Sequence, residues 1–334
     1  MQESSHMPKS ISRRSFTRGF LLATSSIGFA SRLRAASMTG SDALHAVNPL
    51  IGASTSTALG EGKTFPGPAT PFGMVQLGPD TITGGDNAPG YSYEQTTIEG
   101  FSFTRMSGVG WYGDFGNLQV MPSTGPMKLD GGRIHHPGEG WRSAYRHVTE
   151  RAEANYYAVT LDAYDVRAEL TSAPRAGMLR FTFPAAQVPR VQLNLPRRIG
   201  GTSTRQYIKV VGDRSVEGWM QCPSTGGGWG NGGGKVGYTL HFHMEFSRPF
   251  ESFGVWSIAV PDDAFPVHAG LTTDYFSSDK YWELVRNGEV LNGCKEKEGN
   301  HIGFFAEFTP ATHGALVLGC RCREAWPGRM SRTR

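Results

Sequence analysis

Cysteine is scarce, with four in 334 residues, at Cys222, Cys294, Cys320 and Cys322. That excludes a disulfide-dense scaffold. No cluster at ligand spacing accompanies them, which excludes a structural zinc site. Cys222 and Cys294 could bridge, but spacing alone does not place them within reach. Long apolar runs are missing too. The stretch 19–30 is short and rich in Ser, Thr and Gly, so no membrane span is expected. Helical periodicity is also thin. Only 275–287, YFSSDKYWELVRN, reads as a helix. No internal repeat stands out.

Basic surplus is missing where it would matter. The formal net charge is +4, yet residues 1–36 carry net +5 and residues 319–334 carry net +4, leaving net −5 for 37–318. A mildly acidic body gives no reason to expect a nucleic-acid partner.

What is present begins with the ends. Residues 12–18 read SRRSFTR, followed by the apolar stretch and small residues. A basic region, an apolar region and a cleavage zone with paired arginines resemble a twin-arginine export signal. Residues 1–36 are therefore expected to be a signal peptide, disordered and removed after Ala30 or Ala36. The chain is then exported to a bacterial periplasm or beyond. At the other end, strand-like GALVLG at 314–319 gives way to CRCREAWPGRMSRTR, with five arginines. Residues 319–334 are expected to be an atypical, disordered Arg-rich tail: a shifted reading frame or a genuine basic extension.

Between the ends, alternation dominates. Tyr157, Val159 and Leu161 face one way, and Ala158, Thr160 and Asp162 the other. The same holds for Val166, Ala168 and Leu170; for Leu179, Phe181 and Phe183; for Val191, Leu193 and Leu195 against Gln192 and Asn194; and for Leu240, Phe242, Met244 and Phe246. A period of two with one apolar face predicts half-buried antiparallel strands. Turn residues at 162–165, 173–177, 184–189 and 212–213 separate them. The fold class is all-β, an antiparallel β-sandwich over 37–318.

Several local features carry weak chemistry. FPGPATPFGMVQLGPD at 65–80 predicts a loop with a fixed path that delivers the chain into a strand. His241 and His243 share a strand face, as metal ligands or as its solvated side. His135 and His136 lie in a Gly/Pro loop. TGGGWGNGGGKVG at 225–237 lacks the Ser or Thr and the strand-to-helix setting of a phosphate loop. It reads as a connector, with Trp229 either stacking on a sugar or tucked onto the sandwich.

The order of motifs is more specific. VNPLIGA at 47–53 is followed by the 65–80 segment, and then by GYSYEQTTIEGFSFTRMSGVGWYGDFGNLQVMP at 90–122. NYYAVTL, AELTSAPRAG, RFTFP, GWMQ and FSRPFESFGVW come later. This succession, over about 45–318, resembles the N-terminal half of the glycoside hydrolase family 92 exo-α-mannosidases. Phe103 stands where the family usually has histidine, and Trp111 where it often has cysteine.

The resemblance implies an N-terminal β-sandwich followed by a larger catalytic (α/α)6 barrel, which is absent from these residues. It implies an exo-acting, calcium-dependent, inverting hydrolase acting on mannose-containing glycans, with both carboxylates and so the chemistry supplied by the barrel. The sandwich would lend loops to the cleft. The substrate-binding candidates are Phe65, Pro66, Gly67, Ser107, Gly108, Gly110, Trp111 and Asp114. Trp111 is either a sugar platform or core. Asp114 is either an acceptor for sugar hydroxyls or a turn residue. Glu61, Asp80, Asp86, Glu94 and Asp114 match no acid/base pair of the family, so no catalytic residue is assigned. Calcium binding by this chain alone is doubtful. The expectation is a truncated α-mannosidase, inactive alone. A stand-alone exported carbohydrate-binding sandwich is the alternative.

Overall fold

Alternation becomes two antiparallel sheets packed face to face. The computed structural model describes residues 46–54, 56, 62–81, 89–105, 115–134, 136, 138–199, 201–223, 237–261, 278–310 and 315–325. These belong to one unit, Leu44–Arg334. The export signal at 1–36, Ser107, Gly108, Gly110, Trp111, Asp114, His135, Trp229, Glu61 and Asp86 lie outside the described residues.

The strands follow in chain order as β1 (Gly78–Asp80), β2 (Thr97–Ile98), β3 (Gly100–Ser102), β4 (Gln119–Ser123), β5 (Ser143–Ala144), β6 (Arg151–Glu153), β7 (Tyr156–Leu161), β8 (Val166–Ala173), β9 (Ala176–Thr182) and β10 (Arg190–Asn194). Then come β11 (Arg197–Arg198), β12 (Gly201–Thr202), β13 (Arg205–Val210), β14 (Ser215–Cys222), β15 (Tyr238–Phe246), β16 (Ser252–Ser257), β17 (Glu289–Asn292), β18 (Glu296–Gly299), β19 (Ile302–Glu307) and β20 (Ala315–Ala325). One helix, α1 (Asp279–Arg286), precedes β17, with the Ser278 hydroxyl accepting from the Tyr281 amide at its N-terminus.

A nine-stranded sheet runs β18-β13-β14-β15-β20-β9-β8-β7-β6, and a seven-stranded sheet runs β1-β3-β4-β10-β19-β16-β17. In the nine-stranded sheet the central strands alternate, as along β15 with Leu240, Phe242, Met244 and Phe246 inside. Each such side chain contributes roughly 1.5–3 kcal/mol on leaving water. His241 and His243 point outward, as the solvated-face reading expects.

Two expectations are corrected. The alternation in 191–195 reads as a half-buried strand, yet Gln192 and Asn194 are buried along with Val191 and Leu193. The cause is a third layer, formed by the segment 124–144 and α1, over the seven-stranded sheet. Amides there need partners. The Gln192 side chain donates to the Lys128 carbonyl at 2.7 Å, and that of Asn194 donates to the Gln119 side chain at 3.1 Å. The sandwich strand expected to end near 318 runs on through Ala325, paired with β15 throughout that extension. Cys320 and Cys322 keep its alternation by entering the core. Cysteine behaves as a small apolar residue there, a role hidden by the arginines between them. All four cysteines are free thiols.

Met74–Val75–Gln76–Leu77 precedes β1. Val75 and Leu77 are buried, and an isolated bridge joins Ala69 to Gln76. The segment before it is pinned to the β8–β9 hairpin. The Met74 amide donates to the Pro174 carbonyl at 2.8 Å, and the Ser172 hydroxyl to the Pro68 carbonyl at 3.0 Å.

Candidate functional site

The candidate site is a set of buried polar groups at the bases of the loops that leave β1 and β3. Asp80, at the end of β1, is buried and accepts from the Ser102 hydroxyl at 2.6 and 2.7 Å and from the Gln119 amide at 2.9 Å. Its ionic partner is Arg105, three residues after β3. Arg105 also donates to the carbonyls of Pro89 and Gly78. Its guanidinium lies 5.4 Å from the centre of the Phe65 ring. Burial pushes the Asp80 carboxyl up against the pull of Arg105, and burial pushes Arg105 down against the pull of Asp80.

Arg105 therefore joins three stretches. It holds the strand before 82–88, the residue that ends that loop, and the aromatic ring of the 65–67 segment. The loops close just beside it. The Thr81 amide donates to the Gly90 carbonyl at 3.0 Å, and the Gly116 amide to the Thr104 carbonyl at 2.7 Å. Glycine is needed at both bases. Gly90 and Gly116 have φ of 77° and 87°, and a Cβ on either would strike Ile199.

Phe65, Pro66 and Gly67 are buried in this base. A Cβ on Gly67 would lie 2.0 Å from the Leu77 carbonyl oxygen. The structure thus brings Phe65 to the root of the 106–114 loop, whose named candidates lie outside the described residues. Phe103, in the family's histidine position, is core. Glu94 accepts from the Ser92 hydroxyl at 2.7 Å and also from Ser54.

Three more acids lie near this hub, Glu99 buried and Glu150 and Asp130 partly so. Glu99 pairs with Arg142 at 2.7 Å and Arg197 at 3.1 Å. Glu150 accepts from the Tyr157 hydroxyl at 2.7 Å, lies 3.1 and 3.2 Å from that of Tyr91, and meets His147 Nδ1 at 2.7 Å. Asp130 takes the Gly132 amide at 3.0 Å and the Tyr281 hydroxyl at 2.7 Å. Burial raises the Asp130 carboxyl and the Tyr91 and Tyr281 phenols. Every one of these acids is occupied by structural partners. Each of the four is held by these contacts rather than presented to solvent as an unengaged carboxyl.

Sequence reasoning passed over Arg105, Glu99 and Glu150. The available signal was an arginine two residues after the apolar stretch GFSF and shortly before Gly108 and Gly110, a place where a solvated charge has little room. Among the described residues no three His, Cys, Asp or Glu side chains gather as metal ligands.

A family model described as the glycosyl hydrolase family 92 N-terminal domain matches residues 46–318. A protein of the fungus Arthroderma benhamiae, described as an uncharacterized secreted glycosidase, is 30% identical over 151 residues, covering 45% of this chain and 19% of that protein. Among solved structures, a family 92 α-mannosidase from Bacteroides thetaiotaomicron superposes with a TM-score of 0.65 at 26% identity, covering 84% of this chain and 33% of that one. The same enzyme has been solved with mannoimidazole. An inverting mannosidase of the family from the same organism aligns with a TM-score of 0.59 at 20% identity over 83% of this chain and 30% of its own, a likeness of fold alone. The chain spans about one third of the length of these enzymes and about one fifth of the fungal protein.

Proposed function

Because the chain belongs to glycoside hydrolase family 92 through that family's N-terminal domain, we propose that it forms the non-catalytic wall of an exo-α-mannosidase cleft. In this reading it hydrolyses nothing on its own. The observation that carries it is the engagement of the acids around the hub among the described residues, Asp80, Glu99, Asp130 and Glu150, by structural partners. Inverting hydrolysis needs one carboxyl to protonate the leaving oxygen and another to activate water, about 6.5–9.5 Å apart. Acids locked in buried ion pairs and phenol contacts serve neither role. The acid and base come from the part of the relatives that these residues do not span.

The contribution of this chain is positional. Arg105 holds the described residues that flank 82–88 and 106–114 beside Phe65, and in this reading Ser107, Gly108, Gly110, Trp111 and Asp114 are the groups offered to a terminal mannose. Mannose-containing glycans are the substrates, and export follows the twin-arginine signal. Calcium takes six to eight oxygen ligands. Among the described residues no three His, Cys, Asp or Glu side chains gather, and in this reading most of the ion's oxygen ligands would come from outside this chain.

The test is an assay of the purified chain on an aryl α-mannoside and on mannobiose, with and without calcium. No mannose release is expected. Turnover by the chain alone, abolished by Asp114→Ala, would overturn the reading.

A further inference from the structure

The outer face of the nine-stranded sheet carries a second site. Along one row across four strands, Glu245 on β15 stands opposite Gly319 on β20, Gly319 opposite Met178 on β9, and Met178 opposite Thr171 on β8. Gly319 interrupts the row: a Cβ there would meet nothing within 4 Å. The gap opens a trough of about 640 Å³, within the roughly 300–1,000 Å³ of small-ligand sites. In the neighbouring row His243 faces Arg321, and Arg321 faces Ala176. Arg214 closes one side, 3.6 Å from Glu245.

The lining has two chemistries. Met178, half exposed, and the alanines of the hairpin make an apolar floor. Two guanidiniums, an imidazole and a carboxylate stand on the rim. A floor that accepts C–H groups beneath forked donors and one acceptor suits a polyhydroxylated ring. The rim is net positive, so an anion such as sulfate is the competing occupant that the titration below separates.

The same face continues the pattern. Trp219 is paired with Tyr207 on one side and His241 on the other, and His241 with Arg323. The Tyr207 and Trp219 rings are nearly parallel, 16° apart with centroids at 5.8 Å. At the hairpin end, Phe72 is fully exposed with φ of 58°. That conformation is costly for a bulky residue and is held by the Gly73 amide donating to Thr70 at 2.8 Å. Aromatic groups thus stand on the same face in the next rows, at Tyr207 and Trp219, and Phe72 is exposed on the loop pinned to the hairpin.

We propose that this trough is a glycan-binding site, separate from the loop end, which holds a pyranose oligosaccharide across β15, β20 and β9. It goes beyond the mannosidase reading and does not depend on turnover. The cleanest probe is Gly319→Leu, because the backbone there has open space for a side chain and the variant fills the trough. The full chain is titrated with mannotriose, cellotriose, maltotriose and sulfate, with amide chemical shifts and heat as readouts. At least one trisaccharide is expected to saturate, with shifts concentrated at 171–178, 243–245 and 319–321. Gly319→Leu should weaken that binding about tenfold or more, a loss of roughly 1.4 kcal/mol, at unchanged melting temperature. Arg321→Ala should weaken it without altering the fold. Saturation by none of the sugars, by sulfate alone, or with Gly319→Leu binding as tightly as the parent would overturn the proposal.

Discussion

At the residue scale, Arg105 and Asp80 decide most. Both are buried, and removing one charge leaves the other without compensation, which costs about 3–5 kcal/mol. Arg105→Met is expected to lower the unfolding free energy from urea denaturation by that order. The double change Arg105→Met with Asp80→Asn should recover much of the loss. Arg105→Lys should fail to rescue, because one ammonium cannot reach two carbonyls and a carboxylate in a fork. A denaturation series over the four proteins checks all three. Gly67 offers a second test: its Cβ space is taken by the Leu77 carbonyl, so Gly67→Ala should be clearly destabilising. The proline- and glycine-rich composition of 65–80 pointed to a fixed path, and the path is fixed. What composition concealed is its cause, since the partners lie at Pro174 and Ser172, about a hundred residues away.

At the element scale, period two was enough for β7, β8, β9 and β15, because one side of their sheet meets water. It misled for β10, where the third layer takes the water away, and for β20, where cysteines substitute for larger apolar groups. Alternation reports the contrast between two faces and is blind to what lies on top of the polar one. Helix α1 is part of that covering layer. Its Tyr281 hydroxyl is 2.7 Å from Asp130 and 2.9 Å from His301 Nε2. Burial lowers the His301 pKa from 6.5 to about 3. The sign follows directly. Above about pH 6.5 the ring is neutral both folded and unfolded. As pH falls toward 3, the unfolded chain takes up a proton that the folded one refuses, so stability drops across that window. Asp80 and Asp130, raised by burial, work the other way. Folded carboxyls that protonate more readily than unfolded ones gain relative stability as pH falls through their raised range. His301 has φ of 58°, which asparagine tolerates well. His301→Asn should therefore fold and should flatten the loss of stability between pH 6.5 and 4. Chemical denaturation at several pH values checks it, and an unchanged slope would remove His301 as the cause.

At the scale of the whole molecule, the two sheets differ in what covers them: a third layer on the seven-stranded sheet, a charged and open face on the other. The fold of the body is held without disulfides. Cys222, Cys320 and Cys322 are buried and Cys294 is half exposed, all as free thiols. An alkylating reagent should label Cys294 first and the other three only on unfolding, as peptide mass mapping would reveal. Under the twin-arginine export reading proposed above, the thiols would stay reduced while the body folds. The paired Arg13 and Arg14 in SRRSFTR are the groups such a route reads. They are also the groups whose replacement leaves the body untouched, since the family match begins at 46. Replacing both by lysine keeps the charge and removes the planar fork. Export of the folded chain should then stop, with the precursor retained in the cytoplasmic fraction at normal abundance. Equal amounts of processed protein outside the cytoplasm for parent and variant would show that the pair is only part of a basic N-terminus.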